Sequence, residues 1–450
     1  MRTALLLVAL AACGDNLAGP CDGREPVCGG FVRDGSGRAL VLRGVNLAGA
    51  HKNAPYTDTF EPADYTRLRA DWGMTAIRFL VTWSAIEPVQ GQFDDAYLDW
   101  VAERIGWASD AGLAVVLDMH QDVYGEGFGF DGAPAWTCDA SHYAGFTAKQ
   151  PFGINYADPH VMACFDHLWT DAPTQAELAA AWQHVAMRLA DQPAIVGFDP
   201  INEPSWGSYA VATFERDRLQ PFYEQTIAAV RAAAPKWIAF AEPSSSRSLG
   251  FTTSLQPFSA DNVVYSPHLY DVTAEQDAMF PVGDVPQMIQ EAADFAGEAA
   301  RMGTPMWIGE YGGQATDPQI AAYLSADYDG AAAVAAGSMD WAYDEGGGYA
   351  LLDANDAEVA PLVDAIVRPA PAAVAGTPIS WSFDPGSRVF QLGWHPEPSI
   401  DAPTVILAPA RVYPTGVTVA CGGCTVEVTG NELDLTHITG EPATVTVSPR

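Results

Sequence analysis

Basic residues are scarce in this chain: 22 Lys and Arg stand against 56 Asp and Glu over 450 residues, a formal net charge of -34. That balance excludes nucleic acid as a partner, since phosphate binding needs clustered cations. The surplus acid reads as a solvated surface. Long apolar runs are also missing: beyond Ala4 to Ala12, which is too short to span a bilayer, no stretch is uninterrupted enough for a transmembrane helix. No short-period repeat is present, which excludes solenoids and propellers. The nine histidines are scattered without His-x-x-x-His spacing, so no metal is expected, nor any other cofactor.

What is there describes a globular body. Hydrophobic residues make up 48% and charged residues 17%, and the length fits a barrel of about 250 to 350 residues plus a smaller module. At the amino terminus Arg2 precedes the apolar run, the pattern of an export signal over residues 1–12. Its end, Leu10-Ala11-Ala12-Cys13, resembles the lipobox of bacterial lipoproteins, which implies a lipidated Cys13 followed by a tether over residues 13–29. A plain secretory signal is the alternative. Either reading places the protein outside the cytoplasm, as a cell-surface, periplasmic or secreted protein, and the first ties it to the membrane.

Seven cysteines are an odd number, and lipidation of Cys13 leaves six to pair in an oxidising compartment. Local pairing predicts Cys21 with Cys28, Cys138 with Cys164, and Cys421 with Cys424. Zinc competes for Cys421-Gly-Gly-Cys424, but no second ligand pair lies nearby.

From about Gly30 short apolar runs alternate with longer amphipathic ones, the signature of repeated β-α units. Eight strands are predicted: Leu40 to Val45, Ala76 to Leu80, Ala114 to Asp118, Ile195 to Phe198, Trp237 to Ala241, Val263 to Tyr265, Met306 to Gly309 and Ala335 to Met339. Helical patterns fall between them over Pro62 to Trp72, Asp95 to Ala111, Gln175 to Asp191, Phe214 to Ala234, Pro286 to Arg301 and Pro318 to Ala333, with Asp356 to Val367 closing the set. The α/β fold class expected is a (β/α)8 TIM barrel over residues 30–368. A doubly wound sheet would carry a glycine-rich phosphate loop after its first strand, and none follows Val45. The connection from Met119 to about Thr174, with its aromatics and two cysteines, reads as an ordered lid or substrate wall. Pro369 to Pro378 reads as a linker, and residues 379–450 as a small β-sandwich of short strands between Gly, Pro, Asn and Asp turns. A monomer is expected.

Chemistry in a parallel barrel sits where strands exit. Gly197-Phe-Asp-Pro-Ile-Asn-Glu-Pro-Ser-Trp206 ends a buried strand in Asn202, Glu203 and Pro204, and a carboxyl desolvated at such an exit holds its proton to higher pH than one in water. The other exits carry Arg78, His120 with Asp122, His268 with Tyr270, Glu310 and Trp341. Singly, each has a structural explanation: an ion pair plugging the barrel, satisfied core histidines, ordinary aromatic packing. Together, at successive strand ends, they form a constellation. Glu203 and Glu310, on strands four and seven, would face each other across the mouth. That is what a retaining glycosidase needs, with one carboxyl protonating the departing oxygen while the other attacks about 5 to 5.5 Å away. Arg78 and Tyr270 are expected to keep the pKa of Glu310 low. Glu242-Pro243, after the fifth strand, is a rival carboxylate without a preceding Asn, and is expected to be a sugar contact or a supporting residue at most. Glu87-Pro88 reads as a loop turn.

The ordered set Arg78, His120, Asn202-Glu203-Pro204, His268-x-Tyr270, Glu310 and Trp341 resembles glycoside hydrolase family 5 over roughly Phe31 to Arg368. The resemblance implies Glu203 as acid/base, Glu310 as nucleophile, Asn202 as the ligand of the sugar 2-hydroxyl, Trp341 as the stacking platform, and Arg78, His120, His268 and Tyr270 as their support. Within that family Arg43-Gly-Val-Asn46, His51-Lys52-Asn-Ala-Pro-Tyr56, Asp118-Met-His-Gln-Asp122-Val-Tyr124 and the trailing β-domain are similar to endoglycoceramidases. That likeness implies cleavage between an intact oligosaccharide and ceramide, with Lys52 and Asp122 on sugar hydroxyls. Pro200 before Ile201-Asn202 and the long third loop depart from that group. Trp136, Phe128, Phe130 and Trp206 are candidates for an apolar slot, although loop aromatics pack against their own loop more often. Other β-glucosidases of the family, acting on polysaccharide, steryl glucoside or glucosylceramide, are the alternative. A glycan-binding lipoprotein without activity would not need the carboxylate pair.

Overall fold

The computed structural model describes residues 26–438 and 441–450. The export signal, Cys13 and Cys21, and with Cys21 its pairing to Cys28, lie outside the described residues.

Eight parallel strand positions close into a barrel. They are β1 (Gly44–Leu47), β2 (Ala76–Thr82), β3 (Ala114–His120), β4 (Ile195–Asp199), β5 (Ile238–Ala241), β6 (Val263–Tyr265, resumed at His268–Leu269 after Ser266-Pro267), β7 (Trp307–Tyr311) and β8 (Gly337–Tyr343). Each pairs with the next, and β8 pairs with β1. The strands are covered on both faces, which explains their near-continuous apolar runs. The few polar residues inside them therefore stand out.

Helices follow from local signals. In α1 (Asp95–Ala111) the Asp94 carboxylate accepts the amides of Ala96 and Tyr97, and Gly112 at φ 77 ends the helix in a left-handed cap. The long connection after β3 is ordered, and it contains α2 (Pro159–Thr170), a 12-residue helix absent from the expected set, capped by Asp158. The Cys138–Cys164 disulfide ties its first half to that helix. Asp171 then caps α3 (Ala172–Leu189), which begins three residues before the expected start at Gln175. The expected helix from Phe214 to Ala234 is broken by a π-turn over Glu215–Leu219 before α4 (Gln220–Arg231). Pro221, which has no amide to donate, sits at that junction.

Two expectations about domain borders are corrected. Pro369 to Pro378 is not a linker: Ala370–Val374 is a strand whose Ala370, Ala373 and Val374 are buried, paired with Thr404–Leu407 on one side and Ala39–Leu40 on the other. Its proline-alanine composition mimics a tether, but Ala and Val side chains are small enough to pack flat in a crowded interior. The expected first strand, Leu40 to Val45, is likewise divided. Ala39–Leu40 joins the carboxyl-terminal domain, and only Gly44–Leu47 enters the barrel.

That domain is a sandwich of a five-stranded and a four-stranded sheet. The Cys421–Cys424 disulfide sits at the crossing between them. Its core takes in Tyr328 and Ala332 of the barrel helix Ile320–Ala333, and the Tyr328 hydroxyl donates to the Pro369 carbonyl at 2.6 Å. Chain from both ends of the sequence thus seals this seam. Among the described residues no helix is long and apolar enough to cross a membrane.

Candidate active site

Arg78 is fully buried in the middle of β2, where its guanidinium gathers the polar ends of the surrounding strands. Nη1 donates to Asn46 Oδ1 at 3.1 Å and to Glu310 Oε1 at 2.6 Å. Nη2 donates to Asp199 Oδ2 at 3.0 Å, Asn202 Oδ1 at 2.9 Å and Glu242 Oε1 at 2.8 Å, and lies 2.9 Å from Asp118 Oδ1. One cation therefore faces four carboxylates, with His268 and Lys52 as further positive groups at hand. Burial cannot sustain that surplus of negative charge, so some of these groups keep protons. Burial pushes Asp118 up to about 7 against the pull of Arg78. Burial and the neighbouring Glu242 push Asp199 well above the carboxylate range. Glu242 goes the other way: despite burial, His268 and Arg78 hold it down at about 2.

Glu203 leaves β4 through Pro200-Ile201-Asn202 and sits at φ 41, a left-handed conformation that a non-glycine residue adopts at a cost of roughly 1 to 3 kcal/mol. Its surroundings hold it there. Glu242 Oε2 accepts the Glu203 amide at 2.7 Å, and Gln121 Nε2 donates to the carbonyls of Asn202 and Glu203 at 2.9 and 3.1 Å. The Trp182 indole donates to the Pro200 carbonyl at 3.0 Å and the Trp169 indole to Ser205 at 2.8 Å. Pro200 is thus an anchored part of the exit.

Glu310 lies in β7, level with His268 in the paired strand. A Cβ at Gly309 would stand 2.8 Å from Ser266 Oγ and 3.1 Å from His268 Nε2, so glycine there is what lets the imidazole in. His268 Nδ1 is 2.9 Å from Glu203 Oε1 and 3.5 Å from Glu310 Oε2, while Nε2 is 3.1 Å from Glu242 Oε1. Burial opposes its charge, but Glu242 and Glu310 raise His268 well above the histidine range, so the ring is an imidazolium that donates from Nδ1 to Glu203 and pairs its charge with Glu242 on the Nε2 side. Oxygens of Glu203 and Glu310 lie within 4.8 Å of one another. That spacing admits direct attack by one carboxylate at a carbon whose leaving oxygen the other protonates, and is shorter than the roughly 6.5 to 9.5 Å that an inverting reaction needs for its water.

The expectation that Glu310 stays strongly acidic is corrected. Burial pushes it up to about 7, with Glu203 and Glu242 adding and His268 and Arg78 opposing. The Tyr270 hydroxyl donates to Glu310 Oε2 at 3.1 Å, and burial keeps that phenol protonated.

A second cluster lines the other side. Lys52 forms ion pairs with Asp122 and, at 4.0 Å, with Asp131, and its ammonium stands 4.9 Å from the Trp341 ring. Burial works against that charge, yet Asp122 and Asp131 raise Lys52 above the lysine range. The His120 ring stacks on Trp341 at 5.2 Å, and its Nδ1 is 2.7 Å from Asp118 Oδ2. Burial and Lys52 keep His120 neutral. All ten polar and aromatic candidates, Lys52, Arg78, His120, Asp122, Asn202, Glu203, His268, Tyr270, Glu310 and Trp341, thus meet in one site. Among the described residues three groups of side chains come close enough together to hold a metal, His120 with Asp122 and Asp131, Glu203 with His268 and Glu310, and the all-carboxylate Asp118 with Asp199 and Glu242. Each already has a side-chain cation in it or against it: Lys52, His268 and Arg78 in turn.

Sequence reasoning missed Asp118, Asp199, Asp131 and Gln121, and gave Glu242 no defined part. The missing signal was alternation: Asp118 shares its strand face with His120, which should mark both as pointing inward. Of the proposed slot residues, Phe128 is buried against Tyr143 and Phe146, and Trp136 packs on Trp83 with its indole donating to Glu87. Glu87 is itself fully buried and accepts from Trp83 and the Gly91 amide, so the expected loop turn is a buried anchor.

Comparison with known proteins bears on this geometry. Residues 34–356 match the cellulase model of glycosyl hydrolase family 5. The chain belongs to glycoside hydrolase family 5. Residues 368–448 match the C-terminal domain of the same family. Endoglycoceramidase I of Rhodococcus hoagii (strain 103S) is 26% identical over 417 residues, covering 88% of this chain and 82% of that protein. Endo-glycoceramidase II from Rhodococcus sp., solved as a ganglioside GM3 complex, superposes with a TM-score of 0.84 at 31% identity, over 93% of this chain and 99% of that one. The same relative has been solved as a lactosyl-enzyme intermediate. Glucosylceramidase of Rhizopus delemar is 26% identical over 241 residues, 40% of this chain and 35% of that protein.

Proposed function

We propose that this family 5 enzyme is a retaining endo-β-glycosidase that hydrolyses the bond between oligosaccharide and ceramide in glycosphingolipids. The observation carrying the chemistry is the Glu203–Glu310 pair, with oxygens within 4.8 Å at the ends of β4 and β7. Glu310 attacks the anomeric carbon and Glu203 protonates the departing oxygen. Water, deprotonated by Glu203, then releases the sugar with its original configuration. Arg78 and Tyr270 stabilise the Glu310 charge, Asn202 binds the 2-hydroxyl, Trp341 carries the sugar face, and Lys52 and Asp122 bind outer hydroxyls.

The substrate class is supported by the near full-length likeness to the two Rhodococcus endoglycoceramidases. Exposed apolar residues on loops leaving the strand exits, Phe152 at 40%, Leu249 at 58%, Phe251 at 51% and Met279 at 56%, give a lipid tail something to lie against. Glucosylceramide as sole substrate is the second reading, favoured by the partial match to a fungal glucosylceramidase. We further propose an exported monomer anchored through Cys13, on the strength of Leu10-Ala11-Ala12-Cys13; palmitate labelling lost in Cys13→Ser tests the anchor.

Incubation with GM3-type ganglioside, lactosylceramide, glucosylceramide and cellulose decides between the readings. Release of intact oligosaccharide from the first two supports the proposal. Release from cellulose alone, or from glucosylceramide alone, refutes it.

A further inference from the structure

We infer that Glu242 is a positioning residue for proton transfer: it sets the place and orientation of Glu203 by accepting the Glu203 amide with one oxygen and holding His268 with the other. The inference rests on the reading of Glu203 as acid/base and extends it to a residue that need not touch the substrate.

Glu242 directly follows β5 and is 2% exposed. Oε2 accepts the Glu203 amide at 2.7 Å. Oε1 accepts from Arg78 at 2.8 Å and faces His268 Nε2 at 3.1 Å, and the opposite ring nitrogen of His268 reaches Glu203 Oε1 at 2.9 Å. One carboxylate therefore grips Glu203 at both ends, the main chain directly and the side chain through an imidazolium. The main-chain grip matters because Glu203 is held at φ 41, where an L-residue relaxes unless its amide is engaged. A buried amide left without an acceptor is costly enough to release the strained conformer. Glu242 is itself secured. The Tyr223 hydroxyl donates to its carbonyl at 3.0 Å, and the Ser245 amide donates to the Pro204 carbonyl at 3.1 Å, tying the loop after β5 to the loop that carries Glu203. A charge held ionised by His268 and Arg78 suits an acceptor that must stay an acceptor at every working pH.

Proton transfer and nucleophilic attack should respond differently, because Glu310 takes its hydrogen bonds from Arg78 Nη1 and Tyr270, whereas Glu242 takes the other guanidinium nitrogen, Nη2, and reaches Glu310 only by way of His268, whose Nδ1 stands 3.5 Å from it. Three measurements test it on the full chain: kcat and KM on lactosylceramide, kcat on an activated aryl β-lactoside, and the rate at which an activated 2-deoxy-2-fluoro glycoside labels Glu310. Glu242→Gln should lower kcat on lactosylceramide by roughly 100-fold, leave KM within about threefold, and leave the labelling rate within about fivefold. Glu242→Asp keeps the charge that neutralises Arg78 but withdraws the acceptor from the Glu203 amide, so it should show the same split where the Gln variant folds poorly. Glu203→Ala run alongside should show the larger split of an absent acid. An equal loss in all three measurements for both Glu242 variants, or no loss at all, overturns the inference while Glu203 keeps its role. Absence of any split in Glu203→Ala overturns the acid/base reading and the inference with it.

Discussion

An oxygen of Glu203 and an oxygen of Glu310 lie within 4.8 Å of one another, and His268 stands between them as a cation. The two carboxylates differ in setting: the Glu310 side chain is 6% exposed, whereas that of Glu203 is 24% exposed. The buried member has a guanidinium and a phenol fixed on it, and the open member faces the mouth where a leaving group departs. That difference supports the proposed roles.

Glu310→Ala should abolish hydrolysis of every substrate, because it removes the proposed nucleophile. Sodium azide should restore turnover of an activated β-glycoside through the vacated space, giving the inverted α-glycosyl azide, which NMR of the product identifies.

Glu203→Ala should spare substrates that leave without a proton. Loss on lactosylceramide of roughly 10² to 10⁴-fold, against a small loss in the first step with a dinitrophenyl lactoside, is the expected pattern in steady-state and burst kinetics.

The pH dependence has a defined sign. Glu310 attacks only when ionised, and burial with the nearby Glu203 charge pushes it up to about 7, so activity of the free enzyme falls as pH drops through that value. Glu203→Gln removes one contribution to the rise. The acid limb of Glu310 labelling by a 2-fluoro glycoside should therefore move to lower pH in that variant. A shift to higher pH contradicts the electrostatic account.

Most of this site was legible in the sequence because strand exits are marked twice, by the end of an apolar run and by a polar residue in a short motif. Glu203, His268 and Glu310 were found that way. Glu242 carries the same mark, but its service is to a main-chain amide, and nothing in a sequence shows which amide a buried carboxylate will accept. Arg78 could be placed in β2 by its neighbours, yet its four acid partners come from β3, β4, the β5 exit and β7, and only the closed barrel brings them together. The β-domain border was misread for a related reason. Pro369 to Val374 has the composition of a tether, and its burial depends on Thr404–Leu407 and Ala39–Leu40, which are distant in sequence.

Lys52→Met should weaken sugar binding and leave the chemical step largely intact. Its ammonium is paired to Asp122 and lies over Trp341, so the variant loses charged hydrogen bonds of about 1.5 to 3 kcal/mol. A rise in KM of roughly 10 to 100-fold, with a much smaller change in kcat, is expected from initial-rate kinetics.

The long connection after β3 should depend on its disulfide. Closing a loop of 26 residues restricts the unfolded chain by about 3 kcal/mol, so the Cys138→Ser, Cys164→Ser double variant should be cut by protease within residues 139–158 faster than the parent. Equal cleavage rates would show that packing alone orders the segment.

The first product to leave the enzyme distinguishes an endo-acting, retaining hydrolase from every alternative. Following ganglioside hydrolysis by proton NMR in real time reads both the product and its anomer. The expected result is intact oligosaccharide appearing as the β-anomer before mutarotation, with ceramide as the other product. First appearance of the α-anomer, or of single sugars trimmed from the outer end, would contradict it.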